Sequence, residues 1–268
     1  MDDLSALKLQ IEWGADEALE DAPVDRIHVE AIPRGVAEPR ILPSPLAGGG
    51  KGEAAAPQIG SPAERAMQAA ASANTLEELR AAIAAFGGCA LRDTASHLVF
   101  AAGDPAADVL VIGDPPSADE DRSGTPFAGP AGAYLDRMLA SIGLTRTSLL
   151  LTPLIPWRPP GDRPPNAAEL TICLPFLRRL IALASPRRLL LLGPLPPRAL
   201  LPQTASRRRL RGAWIDTTEG IPALPTFSPT ELMRSPKDRR AAWADLRLLR
   251  RALDGDASAL PHGGGTTA

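Results

Sequence analysis

The pattern of apolar and polar positions divides the chain into stretches of different character. Residues 4–20 place Leu4, Leu7, Ile11 and Leu19 at near-helical spacing, which predicts a short amphipathic helix. Residues 31–62 are rich in Pro, Gly and Ala and carry nothing that could close a core, so they read as a disordered linker behind an N-terminal segment of 1–30. From Pro62 the pattern becomes globular. Thr75 with Glu78 three residues on is a capping box, opening a helix to about Phe86. Residues 108–114, "DVLVIGD", are an apolar run stopped by turn residues, which predicts a buried strand. Residues 130–143 read as a helix with Pro at its start and Gly at its end. A second strand follows at 148–153, ending at Pro153.

Residues 167–184 set Leu170, Cys173, Leu177, Leu180 and Ile181 on one face of a long helix. Residues 187–193 form a third buried strand, followed by a short helix at 195–201. A fourth, Pro-interrupted strand lies at 221–227, and a helix at 235–253 closes a domain expected to span 63–253, with a loose tail at 254–268. Strands alternating with helices predict an α/β fold: three layers, α/β/α, around a central, mostly parallel four-stranded sheet. Ligands of such sheets bind outside the carboxyl ends of the strands. Chemistry is therefore expected in segments 113–132, 152–163, 193–197 and 226–234.

Charge changes the picture along the length. Residues 1–85 carry 7 Lys and Arg against 14 Asp and Glu, whereas residues 86–268 carry 22 against 17. No acid stands between Glu169 and Asp216, yet nine arginines do, Arg207, Arg208, Arg209 and Arg211 among them. Arg forks match phosphate oxygens, so this block suits a nucleic-acid backbone, although a chain rich in Ala, Pro and Arg throughout accounts for part of it. Two cysteines exclude a disulfide framework and are too few for a four-cysteine metal site. No run of 18 uncharged apolar residues exists and the acidic N-terminus is unlike a targeting peptide, so a cytoplasmic protein without a membrane span is expected.

Segment 113–132 is the richest in chemistry, with Asp114, Asp119, Glu120, Asp121, four glycines and Phe127. A carboxylate directly after a buried strand can place a water, and Phe127 between Pro126 and Gly129 can offer a flat face to a planar ligand. The same residues also describe a solvated loop whose Phe packs inward.

"VIGDPPSADEDRSGTPFAGPAGAYLDRMLASIGLTR" resembles the segment "GEAPG…EDxxGxPFVGxAGxLLxxML" of family-4 uracil-DNA glycosylases, and "IPWRPPGDRPPNAAELTICLPFLRRLIALASPRRLLLLG" is similar to a second stretch of that family. "RLRGAW" and "LPTFSPTELMRSPKDRRAAWADL" resemble its closing motifs. The likeness runs in order from about Phe86 to Leu253, roughly 60% of the chain. It implies an enzyme of DNA repair that flips a deaminated base out of DNA and hydrolyses its N-glycosidic bond.

Carried over by position, Phe127 matches the family's stacking Phe, and Gly113, just before the catalytic carboxylate position, is expected with it among the base-binding residues. That position holds Asp114 where the family has Glu, one methylene shorter. Pro153 stands where the family reads the base with Asn, and Pro offers neither amide nor backbone donor. Ser228 replaces the family's His as donor to the leaving group. Leu232 and Met233 fall at the wedge, and Arg234 follows as a phosphate contact.

The family's 4Fe-4S cluster has four cysteine ligands. Cys89 and Cys173 match two of them, and Phe86 and Trp157 stand at the others. None of His28, His97 and His262 stands at a vacant position, so no cluster and no other cofactor is expected.

Three readings follow. One is a glycosylase of weakened or altered specificity, in which Asp114 places water, Phe127 stacks and Ser228 supports the departing anion. The second is a non-catalytic DNA-binding protein using Arg207–Arg211 and the wedge. The third is an interaction protein whose helix 4–20 docks a protein partner. The resemblance implies DNA as partner, a monomer, and a bacterial, nucleoid-associated location. Arg158 and Asp162, after the second strand, are the nearby candidates to stand in for the missing His.

Overall fold

The computed structural model describes residues 60–202 and 211–255. The expected helix 4–20, most of the linker, Arg207, Arg208, Arg209 and most of the tail lie outside the described residues.

Six strands form one sheet: β1 (Ala102–Gly103), β2 (Val109–Gly113), β3 (Leu150–Pro153), β4 (Arg188–Leu192), β5 (Ile215–Asp216) and β6 (Pro222–Thr226), in the order β1-β3-β2-β4-β6-β5. The four central strands are parallel and are the four the apolar runs predict. The sheet is larger than four strands because β1 and β5 add antiparallel edges. Two residues each are too short to leave a period in the sequence.

β6 tolerates Pro225 for a geometric reason. The Thr226 carbonyl accepts from Gly193 N at 3.0 Å, so Thr226 faces β4 and its neighbour Pro225 turns its nitrogen the other way, where β5 has already ended.

Side chains alternate between the two faces of the sheet, as a pleat requires. Leu110, Ile112, Leu189, Leu191 and Ala223 enter one core, and Val109, Val111, Leu190, Leu192 and Leu224 enter the other. The first core is covered by α1 (Pro62–Ser72), α2 (Leu76–Ala85) and α6 (Ala167–Ala184). Against the second lie α5 (Gly129–Ala140), α8 (Pro229–Arg234) and α9 (Arg239–Leu253). Short helices α3 (Ala90–Thr94), α4 (Ala118–Ser123) and α7 (Leu195–Leu200) punctuate the loops. The result is three layers, α/β/α.

Local chemistry sets the helix ends. α6 is capped by Asn166, whose side chain accepts from Glu169 N at 2.9 Å while Glu169 accepts from Asn166 N at 2.8 Å. At α2 the expected box is only half closed: Thr75 Oγ1 accepts from Glu78 N, but the Glu78 carboxylate turns to Asn74 N. α9 begins later than expected, because Pro236–Asp238 form a 3-10 turn first. No helix among the described residues is long and apolar enough to cross a membrane.

Candidate active site

The chain passes from β2 to β3 on one side and then returns past β2 to β4 and β6 on the other. The loops after β2 and β4 consequently diverge, leaving a crevice at the carboxyl ends of the strands. Two hollows that share Asp114, Ser117 and Ser228 in their walls occupy it. A cleft of about 570 Å³ has Asp114, Ser117, Asp162, Arg163, Arg198, Ser228 and Arg234 in its walls. A smaller recess of about 70 Å³ is walled by Gly113, Asp114, Ser117, Glu120, Phe127 and Ser228 with their neighbours.

Asp114 follows β2 directly, and its carboxylate accepts from Leu195 N at 3.2 Å at the start of α7. Gly193, at φ +95°, closes on the other side, and a Cβ there would land on the Asp114 carboxylate. Burial pushes the Asp114 carboxyl up to about 7. The Leu195 N–H opposes that rise, while the charges of Glu231 and Glu120 add to it. A carboxyl poised near neutrality is suited to accept a proton at physiological pH.

Phe127 is held by its backbone. Its φ is +53°, its N–H donates to Glu120 Oε1 at 2.5 Å, and its carbonyl accepts from the Arg146 guanidinium at 2.7 Å. The ring lies on Gly113, where a Cβ would come within 2.6 Å of Cζ, so only glycine lets the aromatic seat itself there. Glu120 is itself fixed, since its other oxygen accepts from Ser117 N at 2.8 Å and Ser117 Oγ at 2.7 Å. The supposed loop 113–132 thus contains a short helix, α4, whose N-terminal capping carboxylate also carries the aromatic.

Ser228 is the N-cap of α8. Its Oγ accepts from Glu231 N at 3.2 Å, and its own N–H donates to Glu231 Oε2 at 2.8 Å. Accepting that bond occupies a lone pair and leaves the hydroxyl proton for donation into the hollow.

The structure therefore brings Gly113, Asp114, Phe127 and Ser228 to one recess. Other expected positions fall elsewhere. Pro153 pairs in register with Gly113, but it lines a separate cavity of about 20 Å³ with Thr152, Cys173 and Phe176. Leu232 is only 1% exposed, packed in the core on the inward face of α8, whereas Met233 beside it is 44% exposed. Arg234 is exposed and lines the cleft.

Arg211 is engaged within the fold rather than with solvent phosphate. Its guanidinium donates to both Asp245 oxygens at 2.9 Å and lies 5.0 Å from the Phe227 ring centroid. Burial raises the Asp245 carboxyl, and hydrogen bonds from Thr226 and Arg211 oppose that shift. Arg158 and Asp162 pair with each other at 2.7 Å, and the bond holds the Asp162 carboxyl below its ordinary range. Asp162 lies in the cleft wall.

Sequence reasoning missed Glu120 as the support of Phe127 and Gly193 as the backstop of Asp114. Each had a signal: Ser117-x-x-Glu120 is a capping-box spacing, and Gly193 ends an apolar strand run ahead of Pro194.

Phe86, Cys89, Trp157 and Cys173 share one core cluster. Phe86 meets Phe176 edge-on at 5.3 Å between centroids. A hydrogen bond between the thiols draws Cys89 down to about 7 against the opposing effect of burial; the same bond, with burial, pushes Cys173 up. Neither Phe86 nor Trp157 has a lone pair to offer iron, so this donor set does not fit a four-thiolate cluster.

Strand order, strand-end crevice and the carboxylate, aromatic and hydroxyl gathered there define the class: a three-layer α/β protein with a built polar–aromatic recess. The family model of the uracil DNA glycosylase superfamily matches residues 100–247. A Type-4 uracil-DNA glycosylase of Pyrobaculum aerophilum is 30% identical over 167 residues, 60% of this chain and 85% of that protein. Counterparts of the same name from Sulfurisphaera tokodaii (28% over 185 residues; 66% and 84%) and Thermotoga maritima (29% over 161 residues; 59% and 84%) are also similar. This chain belongs to the uracil DNA glycosylase superfamily.

Proposed function

We propose that this protein is a DNA glycosylase that hydrolyses the N-glycosidic bond of uracil or a related deaminated base, with weakened or altered base specificity. The observation that carries the reading is the shared recess: Asp114 and Phe127, from the connection after β2, and Ser228, from the end of β6, line one hollow. A base turned out of the stack meets the Phe127 ring. Water donates its proton to the Asp114 carboxylate as its oxygen bonds to C1′. The C1′–N bond breaks, and its electron pair leaves with the base. The Ser228 hydroxyl donates to a carbonyl oxygen of that departing anion, and loss of such a donor typically costs about 3 kcal/mol of transition-state stabilisation.

Altered specificity follows from the walls. Among the described residues, neither hollow counts Pro153 in its lining, and no amide side chain stands in its place. A base edge left without its partner loses discrimination by several kcal/mol. The same feature favours the second reading, a DNA-binding relative without excision. In either case the protein works as a cytoplasmic monomer without an iron–sulfur cluster, since the donor set around Cys89 and Cys173 does not fit one.

The test is incubation with labelled single- and double-stranded oligonucleotides carrying uracil, hypoxanthine or xanthine, followed by alkali. Strand scission at one of these bases is the expected result, and the preferred base defines the recess. No scission with any of them at micromolar protein, with DNA binding intact, selects the second reading.

A further inference from the structure

The outward face of α9 is not used by the recess, and it has a composition of its own. Beyond its first residue, Arg239, the exposed positions of this helix are Arg240, Trp243, Ala244, Arg247 and Arg251. At 3.6 residues per turn they fall within an arc of about 100°, forming one stripe about 16 Å long from Arg240 to Arg251. No acid interrupts it. The helix's own Asp245 is buried beneath, bonded to Arg211 and Thr226. At the two ends, Asp238 accepts from Ser235 Oγ and Asp254 pairs with Arg250.

Among the described residues, none of Arg240, Arg247 and Arg251 takes part in an ion pair. Arg239 and Arg137 lie against the Tyr134 ring, adding cationic surface on the α5 side. Trp243 is 42% exposed, one of three large apolar side chains so placed among the described residues. A second is Met233, ten residues earlier, beside the cleft residue Arg234. The stripe thus continues in sequence from the cleft through Arg234 and the 3-10 turn Pro236–Asp238.

We propose that this face of α9 is a second nucleic-acid contact, in which Arg240, Arg247 and Arg251 hold phosphates of the DNA backbone and Trp243 packs on a sugar or base. Charge complementarity selects the occupant. Three unpaired guanidiniums on one line attract a polyanion, and 16 Å spans about five phosphates along one duplex strand. An exposed indole among arginines suits a ligand that is both anionic and π-faced, which an acidic polypeptide is not. The inference rests on the reading of the protein as DNA-binding, but not on excision.

The experiment uses the full-length protein and base-lesion-free oligonucleotides, measuring affinity against salt for the wild type and for R240Q/R247Q/R251Q. The expected result is a decrease of about 2–3 in the slope of log K against log salt, with at least a tenfold loss of affinity at physiological salt. The corresponding triple Lys variant keeps the slope. DNA quenches wild-type tryptophan fluorescence, and the quench is largely lost in Trp243→Phe, a readout that needs no charge variant to fold. An unchanged slope with an unchanged Trp243 quench overturns the proposal. So does a loss confined to poly-glutamate with DNA affinity intact, which would mark the face as a protein-docking surface. A protein that passes here yet never cleaves would fail as a glycosylase while keeping this contact.

Discussion

At the strand-end recess, the positions that the resemblance assigns to a Glu and a His hold other hydrogen-bonding groups, the shorter carboxylate of Asp114 and the hydroxyl of Ser228. Around Cys89 and Cys173 the neighbours supply bulk instead, as Phe86 and Trp157 join an apolar core with Phe176. One region remains hollow, polar and braced from behind by Glu120 and Gly193; the other is filled. A hollow lined by a raised carboxyl is costly to keep, since the charged form is disfavoured there and the volume forgoes packing. The two regions thus differ in kind: one keeps polar groups around open volume, and the other packs aromatic bulk.

The largest effect expected on that contrast is at the filled region. Trp157 is 2% exposed. Trp157→Ala should cost about 3–5 kcal/mol of unfolding free energy, read by denaturant melts, because a large cavity opens in the core. A cost under about 1 kcal/mol would show that the aromatic does not replace lost structure. At the hollow region, Gly193→Ala should lower excision by about a hundredfold through displacement of Asp114, by the rule that small misplacements of a catalytic group are expensive. Single-turnover kinetics with wild-type DNA affinity would check it.

The pH profile sharpens the comparison further. With Asp114 acting as base and its carboxyl raised to about 7, excision should fall about tenfold per pH unit below neutrality and level off above it. Stability runs the opposite way. A folded-state value above the usual carboxylate value of 3.8 means the protonated form is favoured by folding. The contribution is full below about pH 4 and is lost as pH rises through about 7. Asp114→Asn should therefore melt higher than the wild type at pH 8 and nearly alike at pH 4. The smallest effect is expected at the thiols: Cys89→Ala with Cys173→Ala should cost about 1–2 kcal/mol in total, as ordinary core residues do, with no change in metal content.

How legible these regions were in the sequence follows from physics. The long helix Ala167–Ala184 emerges with the boundaries its apolar face predicts, because 18 residues of strong periodicity leave little choice. The four central strands are equally plain, each a run buried on both faces. α4 was hidden because five of its six residues are polar and carry no apolar period, and only the Ser117–Glu120 spacing betrays it. α1 was hidden by its alanines, though Ser61, Pro62 and Glu64 mark its start. Leu232 and Met233 are neighbours of similar character, and only the packing of α8 decides which turns inward. Asp114, Phe127 and Ser228 could be named individually, but their convergence depends on the crossover that sets β4 and β6 beside β2, which no single segment encodes.

The role of Asp114 as base is decided by a single-turnover cleavage assay of wild-type protein and Asp114→Ala on the preferred deaminated-base oligonucleotide, with binding measured in parallel. Asp114→Ala should lose at least a thousandfold in the chemical step, with DNA affinity within a few-fold of the wild type. Cleavage by Asp114→Ala at the wild-type rate would contradict that role.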